Sequence, residues 1–229
     1  MSAAAAAVCI RLGFWQLGRW HEKQRRNAHQ QSLLAAPPMR LGASSAPAGA
    51  AVGRKLVIAG RYDEARQFLL LARFHEGEPG VEIVTPLAPD TGSAVLVNRG
   101  WVPAADAATA RPRQFPEPGR RTVTGVIEPL DRGVRRSAMR PEVGDSAQVL
   151  ATEALDRDSV SARLPYPVAP WMLRQLPGPE APSMPVREAP QPLNESMHLG
   201  YAIQWFAIAL IFLVGGAALA RPLSARSAR

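Results

Sequence analysis

The stretch LGYAIQWFAIALIFLVGGAALA, residues 199–220, contains no charged side chain and is preceded directly by His198. Twenty-two residues at about 1.5 Å each give a helix of about 33 Å, enough to cross a hydrocarbon core of roughly 30 Å. Tyr201 and Trp205 fall in its first turns, where interfacial aromatics collect, and Arg221, Arg226 and Arg229 follow with no acid between them. The run therefore reads as a transmembrane helix over 198–220. The tail 221–229 reads as cytoplasmic, and what precedes His198 as extracytoplasmic.

At the other end, Ala3 to Ile10 is apolar, Arg11 interrupts, and Leu12 to Gly18 resumes. Only about 24 Å of helix results, which suits a signal-peptide core, a truncated span or an interfacial helix. No basic residue precedes the segment, so the usual signal-peptide start is missing. The expectation is a first membrane segment over 1–18, short or truncated, whose beginning is absent from this reading frame or clipped by a late start codon.

Residues 19–197 then form one extracytoplasmic domain, large enough to bury its own core. The formal charge of +8 is carried mostly by arginine, with Lys23 and Lys55 the only lysines, amid abundant Ala and Pro. This bias matches a GC-rich genome and a solvated surface, and does not call for nucleic acid as a partner. Arg11, Arg19, Lys23, Arg25 and Arg26 also suit anionic headgroups of a lipid bilayer. Cys9 is the only cysteine, which excludes an intrachain disulfide or a thiolate metal cluster.

Ala35 to Gly53 is rich in Ala, Pro, Gly and Ser and reads as a linker. Short apolar runs bounded by turn residues follow at Lys55–Ala59, Gln67–Ala72, Val81–Leu87 and Ala94–Asn98, predicting an antiparallel meander. Glu78-Pro79-Gly80-Val81 suits a type II turn, and Pro89-Asp90-Thr91-Gly92 the next reversal. Pro103–Gly119 reads as irregular, Thr122–Glu128 as a strand and Gln148–Leu164 as weakly helical. Val168–Leu176 reads as a last strand, demoted to an edge by Pro170. Pro177–Pro192, with six prolines, should run extended back to the membrane. The fold class expected is mainly β (α+β), an extracytoplasmic domain flanked by two transmembrane helices, the first truncated.

Several strings carry more than periodicity. They are Gly13-Phe14-Trp15-Gln16-Leu17 with Arg19 and Lys23; Gly60-Arg61-Tyr62-Asp63; Pro79-Gly80 leading to Val84-Thr85-Pro86-Leu87; Val95-Leu96-Val97-Asn98-Arg99-Gly100-Trp101-Val102-Pro103; and His198-Leu199 with Tyr201-Ala202 and Gln204-Trp205-Phe206. Taken in order, they resemble the motifs of the Surfeit locus protein 1 family over nearly the whole chain. That resemblance implies a two-span protein of the bacterial cell membrane that assists assembly of cytochrome c oxidase and carries no turnover chemistry. It also implies transient binding of heme a and its placement in subunit I, alongside other oxidase assembly factors. The alternative is a structural docking protein that stabilises an oxidase intermediate without touching heme. An unrelated anchored sensor domain is a third reading.

His198 is the sharpest candidate on that resemblance, since a neutral imidazole can donate a lone pair to heme iron while its other nitrogen is held by a carbonyl or carboxylate. An ordinary interfacial histidine is the bland reading. On a helix His198, Tyr201, Ala202 and Trp205 fall at i, i+3, i+4 and i+7, so one face can offer ligand, hydroxyl and ring. Trp15 and Gln16 either complete a heme pocket or contact a partner helix, or, in the case of Trp15, belong to an aromatic belt. Gln204, polar in hydrocarbon, should face another helix or a cofactor. Arg61, Tyr62 and Asp63 read either as a surface recognition patch or as a strand-end turn in which Arg61 and Asp63 pair with each other or with backbone. Gly100 should permit a tight backbone that aims Trp101 into the core. His21, His29 and His75 lack metal spacing, and no P-loop, dinucleotide fingerprint or Gly-x-Ser-x-Gly elbow occurs. No catalytic residue is assigned.

Overall fold

A computed structural model describes residues 2–40, 52–90, 92–130, 140–141 and 149–220, which fall into two compact units. The first holds residues 1–32 and 192–229, the second 33–191.

In the helical unit, α1 runs from Ser2 to Ala35 and α3 from Ser196 to Ala220. α1 does not stop at Gly18. Beyond its apolar half it continues through a polar stretch in which Arg19 and Arg26 reach Glu22 at 2.6 and 2.5 Å, pairs at i,i+3 and i,i+4 that support a solvated helix. It ends just before Pro37 and Pro38, where helical continuation is sterically barred. Residues 19–32 and 192–197, counted above with the β domain, belong to this unit. α3 opens on a cap: the Asn194 side-chain oxygen accepts from the Ser196 amide at 3.1 Å and its hydroxyl at 2.9 Å. Among the described residues α3 is the one helix long and apolar enough to cross a membrane. A second transmembrane helix is thus not shown, because α1 is only weakly apolar over its length.

The two helices are antiparallel. Their seam is drawn by small residues: Ala6, Cys9, Gly13 and Gln16 on α1 are buried at alternating spacings of three and four, and Ala202 and Ala209, seven apart, are buried on α3. A Cβ on Gly13 would stand 2.6 Å from the Phe206 ring, and one on Gly216 would stand 2.9 Å from Ser2. Phe14 meets Phe206 edge-on at 5.3 Å.

The second unit is a sheet that closes on itself. Its strands are β1 (Met39–Arg40), β2 (Lys55–Tyr62), β3 (Phe68–His75), β4 (Glu78–Pro89), β5 (Ala94–Pro103), β6 (Arg120–Pro129), β7 (Arg140–Pro141), β8 (Leu150–Thr152) and β9 (Val168–Gln175). They lie in the order β1-β2-β6-β9-β5-β4-β3-β8-β7, and a further β2–β4 pairing closes β2, β6, β9, β5 and β4 into a five-stranded barrel. Alternate residues of those strands, among them Leu56, Ile58, Val95, Val97, Ile127, Trp171 and Leu173, form the barrel core. β3 and β8 extend the sheet beyond β4, with one cluster around Phe68, Val84 and Leu164 and another around Leu69, Ile83 and Val149.

The β class and the strand positions agree with the sequence reading, with four corrections. The meander holds for β3–β4–β5 only, since β2 pairs with β6 and β4 and not with β3. Pro79 and Gly80 lie inside β4; the hairpin turns at Glu76-Gly77, both at positive φ (51° and 88°), the mirror-image turn that matches strand twist. β9 is central between β6 and β5. Pro170 is tolerated because the β5 register shifts between Ala94 and Leu96 and the β6 pairing ends at Trp171. The helical reading of Gln148–Leu164 reduces to β8 and a one-turn α2 (Arg157–Ser161), capped by the Asp156 carboxylate on the Ser159 amide. Thr91, Gln148 and most of the linker, 41–51, lie outside the described residues.

Candidate functional site

α3 enters its apolar run one residue after His198, and the histidine's Nδ1 stands 2.7 Å from Oε1 of Gln16 on α1. An amide oxygen only accepts, so Nδ1 carries a proton, and in the neutral ring the lone pair is on Nε2. Gln16 is itself buried in the helix seam, which fixes the ring's direction from the far side. No other hydrogen bond to this imidazole is made among the described residues.

What sets the level of this contact lies about three turns along α1. The Asn27 carboxamide donates to Leu193 O at 2.9 Å and to Glu195 Oε1 at 2.5 Å, and accepts from the Leu193 amide at 2.8 Å. Lys23 adds a bond to Asn194 O at 3.0 Å. The chain entering α3 is thereby clamped to α1, so that His198 arrives beside Gln16. The sequence reading missed Asn27, although an asparagine inside a long helix is itself a signal, since its side chain disfavours helix unless it finds a partner.

The residues expected beside His198 divide. Gln16 touches it directly. Ala202, on the same helical face, is buried in the seam, and Trp205 is half-buried. Trp15 and Tyr201 are exposed, at 57% and 46%, as belt aromatics or as flanks open to a ligand. Gln204 is exposed and so does not face α1.

In the β unit, the Asn-Arg-Gly-Trp motif divides between two polar networks. Arg99 is wholly buried: its Nε and Nη2 donate to Glu117 Oε1 at 3.0 and 2.9 Å, its Nη2 also to Phe115 O, and its guanidinium lies 5.2 Å from the Tyr62 ring. Arg187, from the proline-rich segment, donates to the same Glu117 oxygen and to Pro182 O and Pro185 O at 2.8 and 2.9 Å. Burial, and then the Glu117 carboxylate, push the Tyr62 phenol above its ordinary value, while burial holds the Arg187 guanidinium below its own. Asn98 belongs to the second network, donating to Glu82, which also takes Arg174 at 2.8 Å.

Gly100 has φ 121°, and a Cβ there would stand 2.2 Å from Val186 O. Trp101 is not driven into the core; it lies half-exposed, tilted against His75 with ring centroids 5.1 Å apart and pressed on Gly80. The buried member of the motif is Arg99. Asp63 pairs with Arg66 at 2.9 Å and accepts from Tyr166 at 2.6 Å, whereas Arg61 is exposed. The two motifs thus organise the barrel. Among the described residues no group of three or more His, Cys, Asp or Glu side chains is placed to hold a metal ion.

A sequence profile described as the SURF1 family matches residues 3–210, from the first turn of α1 to the middle of α3. The chain belongs to the SURF1 family. An uncharacterized SURF1-like protein of Mycobacterium bovis is 28% identical over 207 residues, covering 88% of this chain and 73% of that protein. Surfeit locus protein 1 of Arabidopsis thaliana is 34% identical over 110 residues, 42% of this chain and 31% of the plant protein. The Takifugu rubripes protein of the same name is 26% identical over 137 residues, 53% and 57% of the two chains. SURF1 membership supports a general role in cytochrome oxidase assembly and association with a membrane.

Proposed function

We propose that this SURF1 protein is a membrane-bound assembly factor for cytochrome c oxidase that holds heme a transiently through His198 and passes it to subunit I. The observation that carries the reading is the Gln16–His198 hydrogen bond at 2.7 Å, which leaves an oriented Nε2 lone pair at the end of an apolar helix. That donor suits a heme iron, and the level suits a molecule with a lipid-seeking tail and polar carboxylates. His198 would supply the axial ligand, Gln16 would fix its tautomer, and Tyr201 and Trp205 would flank the ring, with Trp15 on the outer face of α1. When bound, the group supplies only its iron coordination. A single neutral imidazole holds it weakly enough for release, and no turnover chemistry is assigned.

In this reading α1 and α3 enter the bilayer as an antiparallel pair with the β unit on the extracytoplasmic side and Arg221, Arg226 and Arg229 in the cytoplasm. The support is the seam from Ser2–Gly216 to Gln16–His198, which sets the apolar half of α1 alongside α3.

The test is purification of the full chain from heme-a-producing cells, with a pyridine hemochrome. His198→Ala should leave the protein inserted and abolish the Soret band, and Gln16→Leu should weaken it. An unchanged spectrum in His198→Ala removes the ligand role. Oxidase assembly that persists in His198→Ala leaves the docking reading, in which the protein stabilises an intermediate without touching heme.

A further inference from the structure

Arg11 is the residue that the helix pair leaves unexplained. Gly13 packs on Phe206, so Arg11, two residues earlier on an antiparallel helix, stands level with about Ile208 of α3. Ten residues of helix separate that level from His198, about 15 Å, or half of a hydrocarbon core of roughly 30 Å. The side chain is exposed and makes no hydrogen bond or ion pair among the described residues. A guanidinium at that depth is costly to leave in lipid, and the distance to either interface exceeds the length of the side chain.

Neither helix carries a neutralising group. No Asp or Glu occurs in α1 before Glu22, which Arg19 and Arg26 already engage, and none occurs in α3. A second copy of the chain therefore brings no carboxylate to this depth. Arg11 also lies within an exposed stripe of α1, with Val8 three residues before it and Trp15 four after, and with Ala4 and Gly18 at the stripe's ends where a neighbouring helix can approach closely.

We infer that this stripe of α1 is the docking face for a transmembrane helix of another membrane protein, and that the partner helix carries a carboxylate near the bilayer midplane that pairs with Arg11. The inference rests on insertion of the helix pair as proposed above. It adds a partner of stated chemistry on the exposed side of α1, distinct from the seam that holds Gln16 and His198.

The experiment places a photo-crosslinking amino acid at Val8 in the full chain, in native membranes, and identifies the crosslinked peptide by mass spectrometry. The expected product is a transmembrane segment containing Asp or Glu. Its yield should fall about tenfold in Arg11→Leu and persist in Arg11→Lys, and Arg11→Glu should be rescued by exchanging the partner's acid for arginine. Crosslinks confined to a second copy, to phospholipid, or to a helix without an acid overturn the inference, as does a yield indifferent to Arg11→Leu. In parallel, Arg11→Cys in a Cys9→Ala background is treated with a membrane-impermeant maleimide. Labelling in intact membranes shows that the helix pair is not inserted, which removes the underlying reading and the inference with it. Protection without the acidic crosslink overturns the inference alone.

Discussion

Among the described residues Glu117 is the carboxylate shared by two buried guanidinia, and its removal is the most informative perturbation of the β unit. Its Oε1 accepts from Arg99 twice and from Arg187 once, with the glutamate only 3% exposed and Arg99 wholly buried. Three charge-assisted bonds at about 1.5–3 kcal/mol each would sum to about 4.5–9 kcal/mol. Part of this is recovered, because Glu117 also lines a groove of about 550 Å³ with Lys55, Arg121 and Gln175, through which water can reach the stranded arginines. The expected loss in Glu117→Ala is therefore about 3–5 kcal/mol, the range for breaking a buried pair from one side. For a domain of this size that lowers Tm by about 6–20 °C, read by calorimetry or near-UV circular dichroism on the full chain in detergent. Arg187→Met should be milder, since it leaves a neutral Arg99–Glu117 pair, and adding it to Glu117→Gln should recover part of the loss. A Glu117→Ala protein within about 1 kcal/mol of wild type would refute the claim that these charges are desolvated and held by one another.

Gly100→Ala should destabilise by at least about 1–3 kcal/mol, since its positive φ and the nearby Val186 carbonyl both disfavour a Cβ; thermal melts against Gly178→Ala, where a Cβ meets nothing, give the comparison. Gly13→Leu should spread the helix seam and weaken the His198–Gln16 contact, read as an increased distance between spin labels on α1 and α3. The Asp106 carboxylate accepts from the Thr109 hydroxyl at 2.6 Å and from the Thr109 and Ala108 amides at 2.8 and 2.9 Å, which hold its pKa at about 2. Because the folded value lies below the unfolded one, its contribution is present above about pH 4 and fades as pH falls through 2; an NMR titration of Asp106 near pH 4 would contradict this.

Much of the β unit was legible from alternation and turn chemistry, because each strand is a short apolar run bounded by breakers. What was not legible is closure. Nothing local in Gly60-Arg61-Tyr62 says that it pairs with Leu87-Ala88-Pro89 as well as with β6, nor that β9 inserts between β5 and β6. Those pairings depend on sequence-distant registers. Pro170 misled for a definite reason: it excludes a strand from a sheet's interior only where its missing N–H is required, and here the ladder is already irregular. Glu78-Pro79-Gly80 misled likewise, since the preceding Glu76-Gly77 takes the positive φ values that match the strand twist.

The candidate site was legible to a different degree on its two helices. His198 stands out because a polar residue at the rim of a charge-free run has few bland roles, and Gln16 because an amide within an apolar segment must find a partner. That these two find each other depends on the antiparallel seam, which is set by residues too small to register as hydrophobic signal: Ala6, Cys9, Gly13, Ala202 and Ala209. In lipid, small residues let helices approach, and large apolar ones lose nothing by facing outward. The residues that shape the site are therefore the ones a hydropathy reading weighs least. Arg11 is the converse case, a large signal that the seam leaves on the outside, and its position away from Gln16 separates what holds the helix pair together from what that pair can present to a neighbour.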